Sequence, residues 1–255
     1  MHKFGALLKL CTNTDELVID SSDVPKFSSV LKKTAPRLNR LVLEAAHRLD
    51  MTKLAQVADL STLRSLRLDA SVHYRLGRGG KHSNMCLPDV GNFVSMTRLS
   101  ELEIVGTVPP QCMRDILQVL RGTLRSLTCD NLDRGRGLTD WLSPVRTSLL
   151  NLRIFVHGDE PMCDLGHLTA LKRLHILISC NKYVDTSRQT AYLCSPTFPP
   201  SVERVEWACL DGVLTPNLAK QRARDLMTAH DIGAVPRLRT IVICISLMTT
   251  SQRDQ

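Results

Sequence analysis

No Cys-x-x-Cys pair occurs anywhere in this chain, and its nine cysteines are scattered singly. An odd, unpaired set argues against a disulfide framework. It points to a reducing compartment, cytoplasmic or nuclear, where cysteine serves as a small buried hydrophobe. Aromatic residues make up only 4% of the chain, so leucine, valine and isoleucine must build the core. No apolar run approaches the roughly 20 residues that a membrane helix needs. The opening stretch MHKFGALLKLCTN is apolar, but Lys9 breaks it and no small-residue cleavage site follows, so a secretory signal is not expected. There is no Gly-x-Ser-x-Gly and no recognisable Cys/His signature, and the expectation is that the chain is not an enzyme.

What is present is an ordinary globular composition, 43% hydrophobic and 23% charged over 255 residues, enough to bury a substantial core. The net charge of +8 favours acidic partners in general. The lysines and arginines are nevertheless spread among 25 acids, with no basic block of five or six, so the charge marks no site by itself.

The informative feature is a phrase written more than once. Leu-Arg-Ser-Leu stands at Leu63 to Leu66 and again at Leu124 to Leu127. Generalised to apolar-x-x-apolar-x-apolar, it recurs as LNRLVL, LRSLRL, LSELEI, LRSLTC, LLNLRI, LKRLHI, VERVEW and LRTIVI, with a weaker copy, TDELVI, at the front. Matches alone prove little in a leucine-rich chain, so spacing is the better test. The middle apolar residues are Leu17, Leu41, Leu66, Leu102, Leu127, Leu152, Leu174, Val205 and Ile241, and five of the eight steps lie between 22 and 25 residues. The other three steps, of 36, 31 and 36, read as one repeat plus an insertion near 70–92, 181–200 and 211–235.

Each hexapeptide places apolar side chains on one face of a short strand and polar ones on the other. Helical spacing lies between several of them: Phe27, Val30 and Leu31; Leu54, Val57 and Ala58; Met113, Ile116, Leu117 and Leu120. Thr215-Pro216 offers a cap and a proline to start PNLAKQRARDLM. One such unit cannot bury its apolar face alone, whereas stacked units share a continuous core. The chain resembles a leucine-rich-repeat protein over nearly its whole length. The expected fold class is α/β: a single solenoid domain over 1–255 of about nine irregular repeats. Parallel strands should line its concave face, with helices or irregular segments on the convex face.

The repeats depart from the best-known leucine-rich pattern, in which an asparagine follows the last apolar position by three residues and satisfies backbone groups at the turn. Ala46, Ser71, Thr107, Leu132, His157, Ser179 and Leu210 stand there instead. Loose, asparagine-poor repeats with phrases such as APRLNRLVL and LSTLRSLRL resemble those of fungal F-box-associated repeat proteins. In that family the repeats select the substrate of a cullin-type ubiquitin ligase and an N-terminal F-box docks the adaptor. The first repeat here begins within the first twenty residues, so no F-box is expected in this chain.

Three other clusters have simpler readings. RLGRGGKHS, from Arg75, lacks the Ser or Thr that must follow the lysine of a phosphate loop, because Lys81 precedes His82, and Arg75 stands where that pattern needs glycine. It reads as an exposed loop. Together with DRGRG at Asp133 to Gly137 it is thin evidence for RNA binding, with Tyr74 the sole interleaved aromatic. His157, Asp159, Cys163 and His167 are close enough in sequence for zinc but lack the tight Cys and His pairs of a structural site, so neither metal nor cofactor is expected.

The candidate site is the outward face of the strands. Two columns follow from the alternation, and their charged members are Arg40, Arg67, Glu101, Glu103, Arg153, Arg173, His175, Arg204 and Glu206. Nine strands at about 4.8 Å span roughly 40 Å, long enough to grip a peptide or a domain face. Mixed signs suit a protein partner better than a phosphate backbone. The expected function is a non-catalytic protein-interaction module, and the family resemblance implies substrate recognition in a ubiquitin ligase. The alternative is nucleic-acid binding through the basic insertion and the helix bearing Lys220, Arg222 and Arg224.

Overall fold

A computed structural model describes residues 15–20, 38–44, 60–69, 93–106, 108, 110–129, 141–157, 164–179, 198–209 and 216–245. The chain divides into two compact units, Met1–Asp133 and Arg134–Gln255. The first holds five strands, β1 (Glu16–Asp20), β2 (Arg40–Glu44), β3 (Ser65–Asp69), β4 (Glu101–Val105) and β5 (Ser126–Cys129). The second holds four, β6 (Asn151–His157), β7 (Arg173–Ser179), β8 (Arg204–Cys209) and β9 (Thr240–Ile245). Within each unit every strand pairs in parallel with the next in sequence. All nine hexapeptides are therefore strands, and the fold is α/β with parallel strands, as the alternation requires.

The register is in phase throughout. Leu17, Leu41, Leu66, Leu102 and Leu127 lie side by side in the first unit, and Leu152, Leu174, Val205 and Ile241 in the second. From Leu41 to Val205 these residues are buried, and each unit has a second buried row: Leu43, Leu68, Ile104 and Cys129 in the first, Ile154, Ile176 and Trp207 in the second. Burying one such side chain contributes about 1.5–3 kcal/mol, and alternation delivers two per strand to the same face.

A backbone device repeats at every described step. The carbonyl one residue before a strand accepts the two N–H groups that open the next strand. Asn39 C=O receives Arg64 and Ser65, Arg64 C=O receives Ser100 and Glu101, and Ser100 C=O receives Arg125 and Ser126. In the second unit Leu150 C=O receives Lys172 and Arg173, Lys172 C=O receives Glu203 and Arg204, and Glu203 C=O receives Arg239 and Thr240. A further buried residue three or four positions before each hexapeptide closes a turn into it. Leu60, Met96, Leu120, Val145, Leu168, Pro199 and Val235 supply the accepting carbonyls. The Leu120 turn carries one extra residue, accommodated by Gly122 at φ 90°.

Two α-helices lie among the described residues, α1 (Pro110–Val119) and α2 (Pro216–Asp231). Each starts on a proline, whose missing N–H costs nothing at the first helical position. Met113, Ile116, Leu117 and Leu120 form one buried stripe along α1 and just beyond it, as their spacing requires. In α2 the stripe is thinner: Leu226 is buried while Met227 is 59% exposed. Gly233, at φ 76°, ends α2, and the Ala234 N–H donates to Ala229 C=O at 2.8 Å. The helical spacing at Phe27–Leu31 and Leu54–Ala58, and most of the three insertions, lie outside the described residues; α2 occupies part of the one near 211–235.

The register makes a contrast measurable. Leu102, fully in the buried row between Leu66 and Leu127, should lose about 2–5 kcal/mol of stability as Leu102→Ala in denaturant melts. Its exposed neighbour Glu101 should change by less than about 0.5 kcal/mol as Glu101→Ala. Gly122→Ala meets no atom within 4 Å, so a loss of about 1–2 kcal/mol there would come from backbone conformation alone.

Candidate functional site

The residues between the buried positions share the opposite face of each strand, and the register aligns them in rows. In the first unit one row runs Glu16, Arg40, Ser65, Glu101, Ser126 and the next runs Val18, Val42, Arg67, Glu103, Thr128. In the second unit the rows are Asn151, Arg173, Arg204, Thr240 and then Arg153, His175, Glu206, Val242. All nine candidate residues occupy these rows, and each is exposed or half-buried.

Most charges in the first unit are matched. Arg40 Nε lies 3.5 Å from Glu16 Oε1 on the neighbouring strand. Arg67 reaches Glu103 across the strands at 3.3 Å and Asp69 on its own strand at 3.3 Å. Asp69, two residues beyond Arg67 on the same face, was legible from period-two alternation, although the sequence columns stop before it. Val42 departs from the expectation of a solvated outward position, since it is 7% exposed. It sits in register between Val18 and Arg67, whose aliphatic stem has the length to cover it.

The second unit is arranged differently. Glu206 takes two partners: Arg204 Nε on its own strand, and His175 Nδ1 on β7 at 3.6 Å. Arg153 lies over the Phe155 ring at 5.7 Å from its centroid, within cation–π range. Burial pushes the His175 pKa below its ordinary 6.5, the adjacent Arg153 pushes it the same way, and Glu206 opposes both. His175 is therefore neutral at pH 7, and its contact with Glu206 is polar rather than ionic there. Beyond the hexapeptides, β6 and β7 continue as Phe155 and Leu177, aligned with Ala208 and Cys244 in a third, apolar row. The sequence columns end before that row; the unbroken apolar runs IFV and ILI were its signal.

The set once weighed for zinc does not assemble among the described residues. His157 lies in β6, and His167 Nδ1 lies 3.2 Å from Asp164 C=O, in a loop where the Asp164 carboxylate accepts the Gly166 N–H. Asp159 and Cys163 fall outside the described residues, and no group of three potential ligands occurs among those described. The same boundary excludes the RLGRGGKHS loop and DRGRG. Lys220 and Arg224 are exposed one turn apart on α2, while nothing is described of the Arg222 side chain. No helix among the described residues is long and apolar enough to cross a membrane. No protein-family model matches this chain, and no curated protein matches it in sequence.

The His175 environment predicts a pH dependence with a definite sign. Its folded pKa is depressed, so the neutral form's contribution to stability is complete above 6.5 and is lost as pH falls from 6.5 through the folded value. Thermal melts of the wild type and His175→Gln should converge or cross as pH drops below 6.5, with the variant less acid-sensitive. Parallel pH profiles would show that the ring is not desolvated.

Proposed function

We propose that this chain is a leucine-rich-repeat solenoid acting as a non-catalytic protein-interaction module, with the outward strand face as its binding surface. The observation that carries this reading is the in-phase register, which turns isolated Arg, Glu and His residues into continuous rows of donors and acceptors. Rows on rigid strands present side chains at fixed spacing and lose little entropy on binding. Mixed signs along the rows favour a protein surface, which offers both charges, over a uniformly anionic backbone. The cytoplasm or nucleus is the compartment this reading takes, consistent with Cys112 and Cys244 standing as free thiols. The specific form we propose is substrate recognition in an F-box-type ubiquitin ligase, resting on the texture of the repeats.

A second reading is supported by exposed Lys220 and Arg224 on α2, which could meet phosphates. Nucleic-acid affinity that falls steeply with salt would favour it, since each neutralised phosphate releases counterions.

The test of the main reading is the combined substitution of Arg67, Arg153 and Arg173 by Glu. A protein captured by the wild type, then purified and titrated, should bind the variant at least tenfold more weakly. Stability should change by less than about 0.5 kcal/mol at Arg153 and Arg173 and fall by more at Arg67, where a glutamate would stand beside Glu103 and Asp69. Retained affinity would remove the strand face as the binding surface, and a collapsed melting temperature would show that these arginines are structural. An in-frame F-box encoded upstream of Met1 would test the ligase assignment, since that segment is what docks the adaptor in the family the repeats resemble.

A further inference from the structure

We infer that the β6–β8 face is a docking site for an acidic, extended segment of another protein, its carboxylates taken by Arg153 and Arg173 beside the apolar Phe155 row. This rests on the reading of the chain as an interaction module and names the partner's chemistry.

The first observation is a difference between the two units, each taken alone. In the first, the described outward side chains of β1–β4 include five carboxylates, Glu16, Glu44, Asp69, Glu101 and Glu103, against two guanidiniums, Arg40 and Arg67. Both guanidiniums are occupied by carboxylates. In the second, Arg153, Arg173 and Arg204 face a single described carboxylate, Glu206, and Glu206 is held by Arg204. Among the described residues neither Arg153 nor Arg173 has an acidic partner. Both are exposed, on adjacent strands and offset by two residues, which puts their Cα atoms roughly 8 Å apart.

The second observation is a cross-strand pair that works against folding. Glu16 faces Arg40, Arg67 faces Glu103 and His175 faces Glu206 in register. Arg173 instead faces Arg204, the cationic counterpart of the like-charge pair Asp20 and Glu44 in the first unit. Like charges directly opposite on neighbouring strands destabilise a sheet. Local choices that oppose the fold mark positions held for another purpose. An incoming carboxylate relieves that repulsion, so the site gains on binding what it forgoes when empty.

The third observation selects a peptide over a polyphosphate. His175, neutral at pH 7, and Glu206 continue the Arg153 row across β7 and β8, and a continuous anionic backbone laid along that row would meet the Glu206 carboxylate. A peptide can place an uncharged residue there. The half-buried Phe155 and Ala208, in the adjoining row, offer an apolar surface to a side chain next to each carboxylate. The Arg153 guanidinium, 5.7 Å from the Phe155 ring centroid, brings a planar donor suited to bidentate carboxylate recognition next to an apolar surface.

The experiment titrates the full chain with fluorescein-labelled peptides and follows anisotropy. The probes are a peptide of glutamates interrupted by single leucines, its glutamine and lysine counterparts, and an oligodeoxythymidine. The glutamate peptide should bind at least tenfold more tightly than its glutamine counterpart. Arg153→Gln combined with Arg173→Gln should weaken it at least tenfold, and Arg114→Gln combined with Arg121→Gln, both exposed and outside the strand face, should leave it unchanged. Arg173→Gln alone separates binding from folding: affinity should fall while the melting temperature holds or rises, because the repulsion with Arg204 is gone. A lower melting temperature for that variant would overturn the inference. So would equal binding of the glutamate and glutamine peptides, equal loss in the Arg114 and Arg121 variant, or tighter binding of the oligonucleotide through Arg153 and Arg173. A protein partner lost on substituting Arg67 but kept when Arg153 and Arg173 are both Gln would refute this site and leave the interaction-module reading standing.

Discussion

The carbonyl that precedes each strand organises everything else described in this protein. By accepting two N–H groups from the opening of the next strand, it locks consecutive hexapeptides into the same phase. A slip of one residue would turn every leucine of a strand to water and every charged residue to the core. With the phase held, Leu, Val and Ile residues from separate repeats merge into continuous buried rows.

The same constraint creates the outward face. No single strand here carries a recognisable site. Arg67 becomes part of one because Glu103 is set beside it, and His175 because Arg153 and Glu206 flank it. Each contact is exposed or half-buried, and exposed ion pairs contribute only about 0–1 kcal/mol to stability. Their organisation therefore matters more for recognition than for folding. The Arg173–Arg204 pair, like Asp20–Glu44 in the first unit, makes the distinction sharpest, because there the register opposes stability.

The elements differ in how tightly they are specified. Strands β2–β8 bring two fully buried residues each to the core, and α1 brings a stripe of three within its bounds. Helix α2 buries Leu226 and leaves Met227 exposed, while Ile241 and Ile243 of β9 are half-buried. Those features lie near one another in the second unit, where a cleft is lined by Met227, His230, Asp231, Leu238, Arg239 and Ile241. Leucine density falls there and the packing loosens with it.

How much of this could be read from the residues alone depends on how local the physics is. Period-two alternation and a step of 22 to 25 residues sufficed for all nine strands, their parallel order and the two faces, because the side-chain period of a strand is a property of the backbone. The proline starts and apolar stripe of the helices were legible for the same reason. The turn residue before each hexapeptide was missed, because its spacing of three or four is not constant and its hydrogen bond joins positions that no simple period links. The burial of Val42, the reach of Arg67 to Asp69 and Glu103, the Phe155 ring beneath Arg153 and the depressed pKa of His175 all depend on distances between strands. The sequence alone determined which side chains share a face. Which of them touch, and which charges are left unmatched, was decided only when separate repeats came within a few ångströms, where burial and Coulomb interactions become strong enough to matter.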